Sequence, residues 1–475
     1  MTALWTVDDM AQAMRAEKQG ALPGDCSGIS IDSRTLGKGE AFFAITGERD
    51  GHDFVPVALS VGAGLAVVAK NRAAQFGNAP LLVVDDVLEG LRQLARASRA
   101  RSQAKIVAVT GSVGKTSSKE ALRLALGADG ETHASVASYN NHWGVPLSLA
   151  RMPASAQYGV FEIGMNHAGE ITPLVAMVRP HVAIITTIEP VHLEFFGTLE
   201  KIADAKAEIF SGLEKGGTAV LNRDNPQFAR LATAAKAAGV SRIVAFGEHK
   251  DCDARLVTCR LQADTSTVEA DILGHHMTYK LGAPGRHLAQ NSLAVLAAVA
   301  LIGADLALGA LALNNLAPAP GRGTRSRLSI ADGTFLLIDE SYNANPASVR
   351  AALALLGQAP LGPRGRRIAV LGDMLELGKD AEKLHRGLKD SVESAGIDLV
   401  FCSGPHMRAL FEALPSARRG GYADAATGLE SQVIDAVQVG DAVMVKGSLG
   451  SKMGPIVKAL ERHYPRQTAL EGAQG

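Results

Sequence analysis

Short apolar runs alternate with stretches of helical spacing along most of the chain. Residues 105–109 (KIVAV) are mostly β-branched and apolar, the pattern of a buried parallel strand. Similar runs at residues 29–31, 41–45, 79–85, 158–163 and 181–188 also predict strands, with a helix–strand unit over residues 58–70. Thr6 and Asp9 resemble a capping-box start for a first helix running to about residue 17. Residues 89–102 read as an Arg-rich surface helix, and a first boundary falls near Gln103. Alternation continues through LNRDNPQF and IVAFG, residues 252–279 are richer in short strands, and a core helix begins near Asn291. The Pro/Gly cluster at residues 314–321 predicts a linker. Beyond it, strands at residues 334–338, 367–371, 398–402 and 442–445 restart the alternation, with Arg322, Arg325 and Arg327 just after the linker. The expected fold is α/β in three domains: a small N-terminal α/β domain (1–102), a central P-loop-type doubly wound sheet (103–317) and a C-terminal Rossmann-like α/β domain (318–475).

Composition narrows the function. Lys+Arg and Asp+Glu balance at 48 each, so no overall field favours nucleic acid or an anionic membrane. Four scattered cysteines without a C-x-x-C pair suggest a reducing compartment, not a disulfide frame or zinc site. No basic n-region precedes an apolar core at the N-terminus, so no secretory signal is expected. The most apolar stretch, residues 293–304, is too short to span a bilayer.

The candidate chemistry centres on KIVAVTGSVGKTSSKE, residues 105–120. After the strand, Thr110, Gly111, Ser112, Val113 and Gly114 turn sharply, and Lys115-Thr116 opens a helical segment. Backbone N–H groups and a helix N-terminus then face one small volume suited to phosphate. Lys115 can reach the β/γ oxygens and Thr116 can ligate Mg²⁺. Val109 stands where G-x-x-x-x-G-K-[ST] has its first glycine, so a plain strand-to-helix turn with a surface lysine is the competing reading. An ATP or GTP phosphate site is the expectation. Glu162 ends one neighbouring strand, while Glu189 and His192 follow another and Lys206 lies on the next helix; their convergence at strand ends is where doubly wound sheets place ligands. Loops at the C-terminal strand ends carry DESYNANP, GDMLE and KGS.

These runs resemble the Mur ligases, ATP-dependent enzymes that build the peptide of peptidoglycan. The resemblance covers about residues 30–446. It rests on TGSVGKTSSKE, SYNNHWGVPLSL, EIGMNHAGEI, TTIEPVHLEFFGTLEKIADAKAEIF, IDESYNANPASVRAAL and VLGDMLELG, in that order. The last two are most similar to the branch that adds D-Ala-D-Ala to UDP-MurNAc-tripeptide. Leu288 departs from the family, which commonly has Asn after the His of its central GRH element.

The resemblance implies roles. Gly111, Ser112, Val113, Gly114, Lys115 and Thr116 would hold ATP phosphates, with Asn291, Arg322 and Asp339 near the adenine, phosphates and ribose. Thr116 would serve one Mg²⁺, with Glu162 near both metals; His192 and Lys206 would serve a second, with Lys206 carboxylated by CO₂. Catalysis would fall to Lys115, Glu162, His192, Lys206 and Arg322. Ser30, Ser33, Arg34, Thr46 and Gly47 match the region that grips the UDP end of the substrate; read without the resemblance, they are ordinary turn chemistry. Asn141, Tyr342, Asn343, Asn345 and the 373–376 loop are further substrate candidates, and His385 is the candidate general base. The implied protein is a cytoplasmic monomer with no nucleic-acid partner. A sibling ligase adding another amino acid and a non-catalytic nucleotide switch are the alternatives; a switch needs no second-metal carbamate.

Overall fold

The structure, a computed structural model, describes residues 3–136, 138–191 and 193–467. Apolar runs become strands because each can be covered on both faces. Strand Lys105–Thr110 pairs in parallel with Tyr158–Glu162 on one side and Val182–Ile185 on the other, inside a nine-stranded sheet. On one face Val107 and Val109 pack with Leu122 and Leu126 of helix Lys115–Gly127 and with Leu293 and Leu296 of helix Arg286–Leu301. On the other, Ile106 and Ala108 pack with Val175 of helix Ile171–Val178 and Ile202 of helix Leu199–Ala207. A one-residue slip would exchange the two faces, so burial of roughly 1.5–3 kcal/mol per large apolar side chain pins the register. Residues 254–281 form three strands, antiparallel to one another, that extend this same sheet.

The N-terminal sheet has Ile29–Ser30, Ala41–Phe43, Leu65–Ala69 and Leu81–Val84 in parallel, with Glu17–Gln19 antiparallel at its edge. It is firmly seated on the central domain. Leu147 and Ala150 join its core. Trp5 Nε1 donates to Ala150 O at 2.8 Å, Arg151 Nε to Ile29 O at 2.7 Å, and Arg99 Nε to Val178 O at 2.9 Å.

The C-terminal sheet has six strands, of which Gly333–Glu340, Ala442–Lys446, Arg367–Gly372, Leu399–Ser403 and Arg419–Ala423 run parallel. Its contacts with the central domain are sparser and polar: Glu194 N donates to Glu376 O at 3.1 Å, and Arg325 grips the hairpin tip at Ala263 O with Asp264 3.6 Å away. No helix among the described residues is long and apolar enough to cross a membrane.

Four expectations change. The first helix, Val7–Met14, has Thr6 accepting from Asp9 N as expected, but it ends before residue 17 because Arg15 turns left-handed and Glu17–Gln19 becomes the edge strand. Helix Val87–Arg101 is no surface helix: Leu91, Leu94, Ala95 and Arg99 are buried at the seam between domains. Arg325 and Arg327, expected just after the linker without an element of their own, belong to antiparallel strand Thr324–Ile330. The core helix begins at Arg286, so Asn291 lies inside it.

Candidate active site

Strand Lys105–Thr110 delivers the phosphate turn at its C-terminal end, and Gly114 caps the helix Lys115–Gly127. Val109 is buried in the strand, which therefore continues one residue beyond it before the turn opens. Gly114 sits at φ +88°, and a Cβ there would stand 2.5 Å from Asn291 Nδ2. Asn291 is thereby placed against the turn. Ser112 N donates to Thr187 O at 2.8 Å, Ser112 Oγ to Glu189 O at 3.0 Å, and Thr186 Oγ1 to Val113 O at 2.5 Å. Lys115 Nζ curls back to Gly111 O at 2.8 Å. Burial pushes its pKa down, the Glu162 carboxylate opposes that, and Arg322 adds to it.

Glu162 is 1% exposed, and each of its oxygens has a donor. Thr116 Oγ1 donates to Oε2 at 2.9 Å and Asn140 Nδ2 to Oε1 at 2.6 Å. Lys206 is 2% exposed; desolvation, then the charge of Lys115, hold its pKa well below the ordinary 10.5. Among the described residues no neighbouring carboxylate offsets that burial. Among the described residues no three His, Cys, Asp or Glu side chains converge as a ready metal site, and His192 lies outside those residues.

A cavity of about 490 Å³ opens over the turn. Ser112, Val113, Gly114, Lys115, Thr116, Glu162, Glu189 and Asn291 line it from the central domain; Arg322, Tyr342, Asn343 and Asn345 line it from the C-terminal domain. Arg322 lies over the Tyr342 ring, 4.3 Å from its centroid. The predicted linker supplies part of the wall, at Leu316 to Ala319 and Gly321. His287 also faces the cavity, with a pKa lowered by burial, and Leu288 lines it beside the central core.

Other candidates lie apart. Asp339 is off the cavity wall, its carboxylate taken by Ser341 N at 3.0 Å and Ser341 Oγ at 2.6 Å. Ser30 ends a strand of the N-terminal sheet, Ser33, Arg34, Thr46 and Gly47 lie in the turns beside it, and none of them lines the cavity. Arg34 pairs with Asp32 at 2.6 Å, and Thr46 Oγ1 donates to Asp50 at 3.2 Å. Asn141 is off the cavity wall: its Oδ1 accepts from Gly144 N at 2.9 Å, starting helix Gly144–Ala150, while the adjacent Asn140 holds Glu162. Asn345 caps helix Pro346–Gly357 through Ser348 N. In the 373–376 loop, the Asp373 carboxylate is taken by Met407 N and His406 N, and none of these residues lines the cavity. His385 is corrected as well. It is fully buried, its Nε2 accepts from Met374 N at 2.9 Å and its Nδ1 meets Ala381 O at 2.7 Å, which leaves neither nitrogen for a substrate. Asn140, Lys446 and Glu340, to which the sequence attached no role, also line the cavity. The signal for the last two was their place at the C-terminal ends of parallel strands.

Three family models match: Mur ligase family, catalytic domain, over residues 25–99; Mur ligase middle domain over 109–299; and Mur ligase, glutamate ligase domain, over 326–449. A UDP-N-acetylmuramoyl-tripeptide–D-alanyl-D-alanine ligase of Escherichia coli is 34% identical, covering 96% of this chain and 98% of that one. The crystal structure of MurF from Acinetobacter baumannii superposes with a TM-score of 0.82 at 29% identity, covering 96% and 99% of the two chains. MurF ligase from Thermotoga maritima, solved in complex with ADP, does so at 0.75 and 25% identity, covering 92% and 97%.

Proposed function

The chain belongs to the Mur ligase family, and we infer that it is an ATP-dependent ligase that joins D-Ala-D-Ala to UDP-MurNAc-tripeptide in peptidoglycan synthesis. The observation that carries this reading is one cavity shared by Lys115, Thr116 and Glu162 of the central domain and Arg322 and Tyr342 of the C-terminal domain.

A free carboxylate acylates poorly because oxide or hydroxide would have to leave. An oxygen of the tripeptide's carboxylate attacks the γ-phosphorus of ATP, ADP leaves, and an acyl phosphate forms. The dipeptide amine then adds to the carbonyl carbon, and the tetrahedral intermediate expels phosphate as the amide forms. Lys115 and the turn's N–H groups hold the triphosphate and spread its charge, and Arg322 reaches it from the facing domain. Asn291, against Gly114, borders the nucleotide. Asn140 fixes the Glu162 carboxylate so that its orientation survives each turnover.

The residues present fit Mg²⁺. Glu162 and the Thr116 hydroxyl offer hard oxygens aimed at the cavity, as that ion requires. Lys206 and His192 would serve a second ion, and carboxylation would turn the buried, desolvated Lys206 amine into an anionic oxygen ligand. Bound there, the ions would neutralise charge that builds on the phosphoryl oxygens. A neutral amine is the form that captures CO₂, and the lowered pKa of Lys206 supplies it.

The same reading assigns residues 1–102 to the UDP end of the substrate, 103–317 to ATP and 318–475 to closure over nucleotide and dipeptide. A cytoplasmic monomer is the working form that this reading proposes. Phosphate release with UDP-MurNAc-tripeptide and ATP tests the reading. Release should depend on D-Ala-D-Ala, and equal release with glutamate or a diamino acid instead would reject it.

A further inference from the structure

The charged groups around the cavity fall into two sets. On the central side, Glu162 is held by Thr116 and Asn140, and Glu120 pairs with Lys119 and Arg123. Lys115 turns to Gly111 O at the phosphate turn, and Arg325 reaches across from the C-terminal strand Thr324–Ile330 to the hairpin tip. On the C-terminal side, the cavity is lined by an ion pair to which nothing above gives a role. The Lys446 side chain is only 2% exposed, and its ammonium donates to Glu340 Oε2 at 3.1 Å and to Asn343 O at 3.0 Å. An ammonium has three donors, so one remains. Glu340 Oε1 accepts no hydrogen bond among the described residues, and its carboxylate is 18% exposed.

A buried pair with an open donor and an open acceptor beside a chamber is half of a network, and such leftovers are costly unless a ligand completes them. The complementary ligand is a zwitterion, with a carboxylate for the ammonium and an ammonium for the carboxylate. The charged ends of a dipeptide stand roughly 6 Å apart. That separation reaches past a pair 3.1 Å long with one hydrogen bond at each end.

We propose that Lys446 and Glu340 receive the two charged ends of the incoming dipeptide, Lys446 taking its carboxylate and Glu340 its ammonium. The proposal rests on the ligase reading above and adds the residues that would recognise the acceptor. Tyr342 and Asn343 lie on the same stretch of wall, where Asn343 O already braces Lys446.

The test compares D-Ala-D-Ala with D-alanyl-D-alaninamide, which lacks the carboxylate charge, by phosphate release from the full-length enzyme. The wild type should show a KM for the amide roughly 10- to 100-fold higher, the worth of one charge-assisted hydrogen bond. Lys446→Met should raise the KM for D-Ala-D-Ala by a similar factor, leave the KM for ATP unchanged, and erase the amide's disadvantage. A merely structural lysine predicts equal losses on both acceptors, and that result overturns the proposal, as does a rise confined to the KM for ATP. If Lys446→Met does not fold, Glu340→Gln/Lys446→Met removes both charges together and takes the same comparison. The wild type decides alone if neither folds, since equal KM values for acid and amide overturn the proposal. Absence of D-Ala-D-Ala-dependent release from the wild type rejects the ligase reading itself, and the proposal with it.

Discussion

Thr116 Oγ1 donates to Glu162 Oε2 over 2.9 Å, tying the first turn of the phosphate-loop helix to the end of the neighbouring strand. Residues 46 positions apart are joined because both strands end at one rim of a parallel sheet. The bond holds a hydroxyl and a carboxylate side by side next to Lys115.

Replacing Lys206 with Ala should nearly abolish ligation while ATP binding, measured by calorimetry, is largely kept. Short carboxylic acids added to the variant should restore part of the phosphate release, because they return the missing anion. Unchanged turnover in the variant would remove Lys206 from the mechanism.

Arg322→Ala should lower kcat by about 10³-fold, the scale of an arginine supplied across a cleft to a phosphoryl group. The folded state should be little affected, since Arg322 is partly exposed and its ring contact with Tyr342 is local. A stopped-flow record of ADP formation would locate the loss in the first chemical step.

Gly114→Ala forces a side chain into φ +88° and against Asn291 Nδ2 at 2.5 Å. The expected cost is about 1–3 kcal/mol in a denaturant titration. ATP affinity should fall with it, because Asn291 must move away from the turn.

His133 gives a pH signature away from the site. Burial lowers its pKa from 6.5 to about 4, and its Nε2 meets Ser148 O at 2.7 Å. Between those values the unfolded chain binds a proton that the folded one refuses, so stability rises with pH across that window and falls on acidification through it. Melting curves should therefore lose up to ~3 kcal/mol between pH 6.5 and 4, and His133→Asn should flatten that slope.

The parallel strands and the phosphate turn were legible because both carry local signals: unbroken apolar runs, and glycines at a strand-to-helix junction. Thr324–Ile330 was not. It is an edge strand in which only Leu328 is buried, so its polar residues carry no strand signal. Arg419–Ala423, with two glycines at the opposite edge, failed for the same reason. Choosing between Asn140 and Asn141 depended on which amide caps the next helix, and spacing alone does not decide that. Likewise Lys446 and Glu340 lie 106 residues apart, and only the strand order makes them neighbours.

The stitching of Ser112 and Val113 to residues 186–189 has a consequence for how nucleotide is captured. The turn is already laced to the segment that follows the adjacent strand, which takes up Ser112 N, and its remaining backbone donors are preorganised before any phosphate arrives. Little entropy is then lost on that side when ATP docks. The ordering that accompanies capture falls on the opposite wall, where the chain from Leu316 to Gly321 serves as both connector and lining. Any movement of the third domain would therefore reshape the chamber directly, and occupancy of the chamber would in turn bias where that domain rests.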